Sequence, residues 1–328
     1  MNGGALPTYA ELRDRPDGFA GTAWGLFGDD DELGTLNLLS PDRVRAALAS
    51  IRSGDVVNLN LSLLEFDPPL IAHRGVPVHE VFGLNDFHRD DRIDNLYLQA
   101  STQIDGLRHF GNPDHGFYNA APGDQLRVGT SRLGIQHVAQ RGIAGRGVLL
   151  DVASYRAEHG RPIAVSHNEQ IPVSDLDATI EWQESELRVG DIVLIRTGWL
   201  EHIRHVGTNS GALASPGLAH SQETAAWLWD HGVSVAAADN IALEAWPVND
   251  SDLVVEAELD GRVAASSHSG MLHRILIPLL GMTIGELWDL DELAIACRAR
   301  RAFDFFVTAE PLNLPGGVGS PANALAIL

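Results

Sequence analysis

From Gly147 onward the chain alternates short apolar runs with segments of helical period, and no other feature narrows the fold as much. Residues 147–152 and 191–197 are too short for helices and have the apolar make-up of buried strands. Residues 221–231 read as a helix stopped by Gly232, which leads directly into an apolar strand at 233–238. Residues 267–280 read as a further helix, broken near Pro278. Residues 289–300 begin with acids and end with arginines, as the helix dipole favours. Strands follow at 303–308 and 324–328. Earlier, Ser40 caps a helix with Pro41 at its first position, Val44, Leu48 and Ile51 on one face and Gly54 closing it. Residues 56–64 and 95–104 then read as strands. The pattern predicts one α/β domain over residues 1–328, with a mixed sheet or barrel-like core flanked by helices. Residues 1–53 are expected to form an N-terminal extension packed on it.

Charge and cysteine content restrict the function classes. The 44 acidic residues against 23 lysines and arginines give a formal net charge of −21, which repels phosphate backbones and anionic lipid. Nucleic-acid and membrane partners are therefore not expected, and a small-molecule substrate is. No apolar run reaches the roughly 18–20 residues of a membrane helix, and the first fifteen residues lack the apolar core of a signal peptide. Cys297 is the only cysteine, so no intrachain disulfide can form, and a cytoplasmic location is the expectation. Its apolar surroundings mark it as an inert core thiol rather than a nucleophile.

Chemistry concentrates in two stretches. In the first, Gln99, Ser101, Gln103 and Asp105 share the parity of one strand face, and His109 follows the turn at Gly106. A plain half-buried strand would show apolar residues on one of its faces, so this run of amides, hydroxyl and carboxylate is unusual. In the second, His268 and His273 stand five apart, and Glu286 lies among apolar neighbours, where an ionised carboxylate is costly unless paired or bound to a metal. Asp239 closes the strand at 233–238, a position where open α/β sheets place site residues. His73, His79, His88 and His115 fall in loop-like sequence that could border a pocket mouth. Trp24, Trp182, Trp199 and Trp246 are packing residues with the capacity to stack on an aromatic ligand. Residues 316–319 form a Gly-rich turn without the Lys-Ser/Thr of a phosphate loop.

Together these stretches resemble the cyclase family, which includes bacterial kynurenine formamidases and isatin hydrolases, with the signature H-x-G-T-H-x-D-x-P-x-H. Ser101-Thr102 stand at its Gly-Thr, Asp105 at its aspartate and His109 at its last histidine, while His273 and Glu286 match a later pair. The tail Pro311-Leu312-Asn313-Leu314-Pro315-Gly316-Gly317-Val318-Gly319-Ser320-Pro321 is similar to the family's ending. Gln99 and Gln103 replace two signature histidines, and Leu107 replaces the proline. The resemblance implies a swivelling β/β/α fold and a homodimer or homotetramer. It also implies hydrolysis of a small cyclic amide, lactone or N-acyl compound by a metal-bound water, with His109 as general acid/base. Asp105, His273 and Glu286, with Gln103 as a fourth, would then hold one zinc or manganese ion. Two alternatives stand beside this. One is a metal-independent cyclase or lyase using Asp105 and His109, with Gln99, Gln103 and Asp239 around the substrate or its oxyanion; the other is a catalytically silent small-molecule binder.

Overall fold

The computed structural model describes residues 6–208 and 213–328. A nine-stranded mixed sheet forms its centre. Its spatial order is Val56–Asn58, Leu325–Ile327, Asp304–Ala309, Ile143–Leu150, Ile192–Ile195, Val235–Ala238, Thr283–Glu286, Gln103–Asp105 and Gly319–Pro321. The four strands from Ile143–Leu150 to Thr283–Glu286 run parallel, and every other pairing is antiparallel.

Connectivity requires the sheet to curl. Gly319–Pro321 is last in the order and Leu325–Ile327 second, yet only Ala322, Asn323 and Ala324 join them. Laid flat, seven inter-strand steps would separate them by about 34 Å, whereas four Cα–Cα steps reach about 15 Å at most. The sheet therefore bends into a half-barrel.

Strand periodicity divides the core into two layers. Val148, Leu150, Val193, Ile195, Ala236 and Ala238 face the helices Val173–Trp182 and Gln222–Asp230. Leu149, Leu194 and Ala237 face inward, where Leu293, Ala294 and Cys297 of the helix Asp291–Arg300 cover them. Burial drives the Cys297 thiol up to about 12, in keeping with an inert core residue. The N-terminal segment packs on this body from residue 6 onward; residues 1–5 of the expected extension lie outside the described residues. There the Tyr9 amide donates to Asp230 at 2.6 Å, and the helix Pro41–Ala47 lies against Ile143–Leu150. Among the described residues no helix is long and apolar enough to cross a membrane.

Several elements differ from the sequence expectation. The helix expected at 267–280 contracts to His273–Leu276, because Gly270 adopts φ +79° and Pro278 interrupts the following turn. The strands expected at 56–64 and 95–104 shrink to Val56–Asn58 and Gln103–Asp105. Gln99 and Ser101 consequently lie in turns, not on a strand face. Within the segment read as a loop, Val78–Asn85 and His88–Asp94 pair as an antiparallel ribbon that stands off the sheet.

Candidate active site

The site is assembled where Gln103–Asp105 pairs with Thr283–Glu286. Register sets Gln103 opposite Glu286 and Asp105 opposite Ile284, so all four side chains share the face opposite Ile104. On the other edge Gly319 lies opposite Asp105, and a Cβ there would meet the Ile104 carbonyl oxygen at 2.9 Å. Glycine thus lets the last strand close against the carboxylate-bearing one. Thr102 locks the neighbouring turn: its hydroxyl donates to the Leu287 carbonyl and accepts from the Leu61 amide at 2.8 Å.

His273 reaches this face from its short helix. Its Nε2 lies 3.1 Å from Glu286 Oε1 and 3.8 Å from Asp105 Oδ2. One ligand atom from each of Asp105, His273 and Glu286 lies within 4.8 Å of the others, and all three residues are buried. The Gln103 amide donates to Glu286 Oε2. Two buried oxygens, Gln103 Oε1 and Asp105 Oδ2, have no hydrogen-bond partner. Buried acceptors left unpaired are costly, and here they gather beside a second carboxylate and an imidazole nitrogen. This donor set fits a divalent cation, with Asp105, Glu286, His273 Nε2 and Gln103 Oε1 as the groups that would hold it.

Glu244, which the sequence reading passed over, completes the arrangement. It is fully buried, and its carboxylate lies 2.9 and 3.0 Å from His273 Nδ1. With Nδ1–H donated to Glu244, Nε2 points toward Asp105 and Glu286 and would offer its lone pair to a cation on losing its proton, the outer-carboxylate arrangement of metal-binding histidines. Burial alone would depress His273, but the facing Glu244 and Glu286 carboxylates overcome it and hold the imidazolium well above its ordinary value. Burial and the charge of Asp105 raise Glu286, while His273 opposes them. The only sequence signal for Glu244 is an acid inside the apolar run 241–246.

His109 approaches the same Asp105 oxygen as His273, its Nε2 3.9 Å from Oδ2. Between them the Gln99 amide donates to Asp105 Oδ1 at 2.5 Å and lies 3.2 Å from His109 Nε2. Burial lowers the His109 pKa below its ordinary 6.5, against the pull of Asp105. A cleft of about 420 Å³ opens over His109, His273 and Glu286. Its walls are largely apolar, with Leu70, Ile71, Phe110, Trp246 and Met271, and Arg74 and His73 add charge and polarity. Such a cavity suits a small molecule with apolar bulk. A larger open groove of about 1190 Å³ lies elsewhere, around Pro41, Val44 and Arg141, and contains none of these groups.

The structure places the remaining residues apart. Asp239 turns back into the sheet, accepting from the Thr197 amide and hydroxyl at 2.7 Å each and from the Gly198 amide at 2.8 Å. Both its oxygens are occupied, so it bridges two strand ends and does not line the cleft. His79 and His88 belong to the ribbon, and His115 lies against Trp24. Of the four tryptophans named above, Trp246 alone borders the cleft; Trp24 and Trp199 donate to backbone carbonyls, and Trp182 packs on Tyr155 and Phe303.

The Cyclase family model matches residues 72–245, more than half the chain. A solved structure described as a novel cyclase is 32% identical, over 94% of this chain and 99% of its own, with a TM-score of 0.79. Isatin hydrolase A from Labrenzia aggregata, bound to benzyl benzoate, is 18% identical over 87% of this chain and 97% of that one, with a TM-score of 0.55. Isatin hydrolase A from Ralstonia solanacearum is 19% identical over 86% and 95%, also at 0.55. At those identities the likeness to the two hydrolases is one of fold. No curated protein matches the chain.

Proposed function

The chain belongs to the cyclase family, and from that premise we propose that it hydrolyses a small cyclic amide, lactone or N-acyl compound with the help of one divalent ion, zinc or manganese. One observation carries the reading: the unpartnered oxygens of Asp105 and Gln103 converge with Glu286 and His273 Nε2 at the floor of an apolar cleft. When bound, the ion supplies Lewis-acid polarisation of a carbonyl and acidifies water. The chain's own residues do the rest. His109 is largely neutral near pH 7 because burial lowers its pKa, so its ring can accept a proton and later return it. Gln99 tethers the Asp105 carboxylate and stands beside the His109 ring, linking the two groups. Phe110 packs edge-on to His109, with ring centroids 4.8 Å apart, and limits its rotation. The apolar walls exclude competing water and receive the body of the substrate.

A second reading draws support from the two glutamines. With amides at two signature histidine positions, Asp105 and His109 form an acid/base pair that suits ring closure or elimination without a metal.

Elemental analysis of protein purified without chelator separates the two, with activity assayed on lactones, cyclic amides and N-formyl arylamines. About one equivalent of zinc or manganese per chain, lost together with activity in Asp105→Ala, is the outcome expected of a one-metal site. Full activity in metal-free protein, unchanged by added divalent ions, would transfer the proposal to the acid/base cyclase.

A further inference from the structure

Among the described residues Arg74 is the only permanently cationic side chain on the cleft wall, in a chain whose net charge is −21. Its backbone amide closes a turn onto the Ile71 carbonyl at 2.9 Å, and its Nη1 donates to the Gln99 carbonyl. The side chain is thereby held at both ends, part-buried against the cleft. Its Nε and Nη2 make no hydrogen bond among the described residues, and no carboxylate pairs with it.

That vacancy sets Arg74 apart from other arginines partly removed from water. Arg274 faces Glu258, Arg204 faces Glu65 and Asp289, and Arg196 faces Asp151. Arg108 faces no carboxylate but donates to four oxygens of the chain instead. At the cleft floor the acids are engaged without it: Glu286 by His273 and Gln103, and Asp105 by Gln99. Arg74 borders the cleft and also a narrow recess beside it, and Glu286 lines both. A molecule that fits about 420 Å³ therefore touches the floor and the guanidinium together. The net charge of the chain repels anions at long range, so an anion that enters must be met locally. A guanidinium fork against apolar walls meets one strongly, because little water competes for it.

Taking the nature of the reacting carbonyl from the hydrolytic reading above, we propose that Arg74 determines specificity by receiving a second group of the substrate, a carboxylate or similar monoanion. The substrate class is thereby narrowed to cyclic amides, lactones or N-acyl compounds that carry an anionic substituent. Nε and Nη2 supply the two parallel donors, and the bond from Nη1 to the Gln99 carbonyl fixes the fork.

Calorimetry on the full chain, purified without chelator, tests this with benzenesulfonate, a monoanion that coordinates metals poorly, and with methyl phenyl sulfone as its neutral counterpart. The parent chain should bind the sulfonate at least tenfold more tightly than the sulfone. Arg74→Gln should abolish that preference, and Arg74→Lys, which keeps the charge without the fork, should restore part of it. No preference in the parent, a preference retained in Arg74→Gln, or an equal loss for both probes would overturn the assignment; the last would make Arg74 a prop for the turn at Gln99. Activity on the lactone, amide and N-formyl panel is read separately. Arg74-dependent sulfonate binding without turnover of any compound would sink the hydrolytic reading and leave the anion site standing. Turnover with binding indifferent to Arg74 would do the reverse.

Discussion

At the scale of single residues, the site separates into groups that face the cleft and one that works from behind. Glu244 is the latter: it touches His273 Nδ1 and is sealed from the cleft, so its effect passes through the imidazole. Glu244→Gln should therefore lower metal affinity by about 10–100-fold, read by titration calorimetry, while leaving the fold intact. An unchanged affinity would reduce Glu244 to a packing residue. His109 has an equally direct check. Burial disfavours its charged form, so its protonation midpoint, followed by NMR, should fall below the ordinary 6.5, and the signal should vanish in His109→Ala. The sign matters for the reaction. A midpoint below 6.5 leaves the ring neutral and able to take a proton near neutrality, whereas one above 7 would leave it protonated there and ready only to donate. Asp105, His109, His273 and Glu286 were singled out by the family resemblance and not by spacing, and the structure brings them together beside one cleft. Glu244 was not, since an acid in an apolar run carries no mark of what it will face.

At the scale of elements, the sequence showed where strands would lie better than where they would end. The apolar runs at 191–197 and 233–238 appear as Ile192–Ile195 and Val235–Ala238, nearly as expected. Thr283–Glu286, which carries a site carboxylate, was hidden behind a segment whose helical period outran its true helix. Local pattern cannot show that Gly270 and Pro278 will shorten a helix to four residues while tertiary contacts extend the chain beyond it. Asp239 illustrates the same limit. A strand-end acid can turn toward the crevice or back into the sheet, and here Thr197 and Gly198 supply the donors that turn it back. Asp239→Ala should leave the two buried donors of Thr197 and the part-buried Gly198 amide unpaired and cost about 3 kcal/mol, lowering the melting temperature by several degrees in calorimetry. The kcat/KM of the folded fraction should stay near that of the parent chain. A large fall in kcat/KM with unaltered melting would return Asp239 to the substrate.

At the scale of the whole molecule, the fold class follows from the alternation of strands and helices, but the curl of the sheet does not. It arises from three residues, Ala322 to Ala324, that join strands seven places apart. This closure has a consequence for the order of synthesis. Gly319–Pro321 covers the outer edge of the strand carrying Gln103 and Asp105, and it leaves the ribosome about two hundred residues after that strand does. Until then the nascent chain holds its future site on an unpaired edge, open to chaperones and to mispairing with neighbouring chains. Pairings this distant in sequence also form slowly. Maturation of the site is therefore a late event in biogenesis, and a chain cut short before Gly319 would lack the strand that shields it.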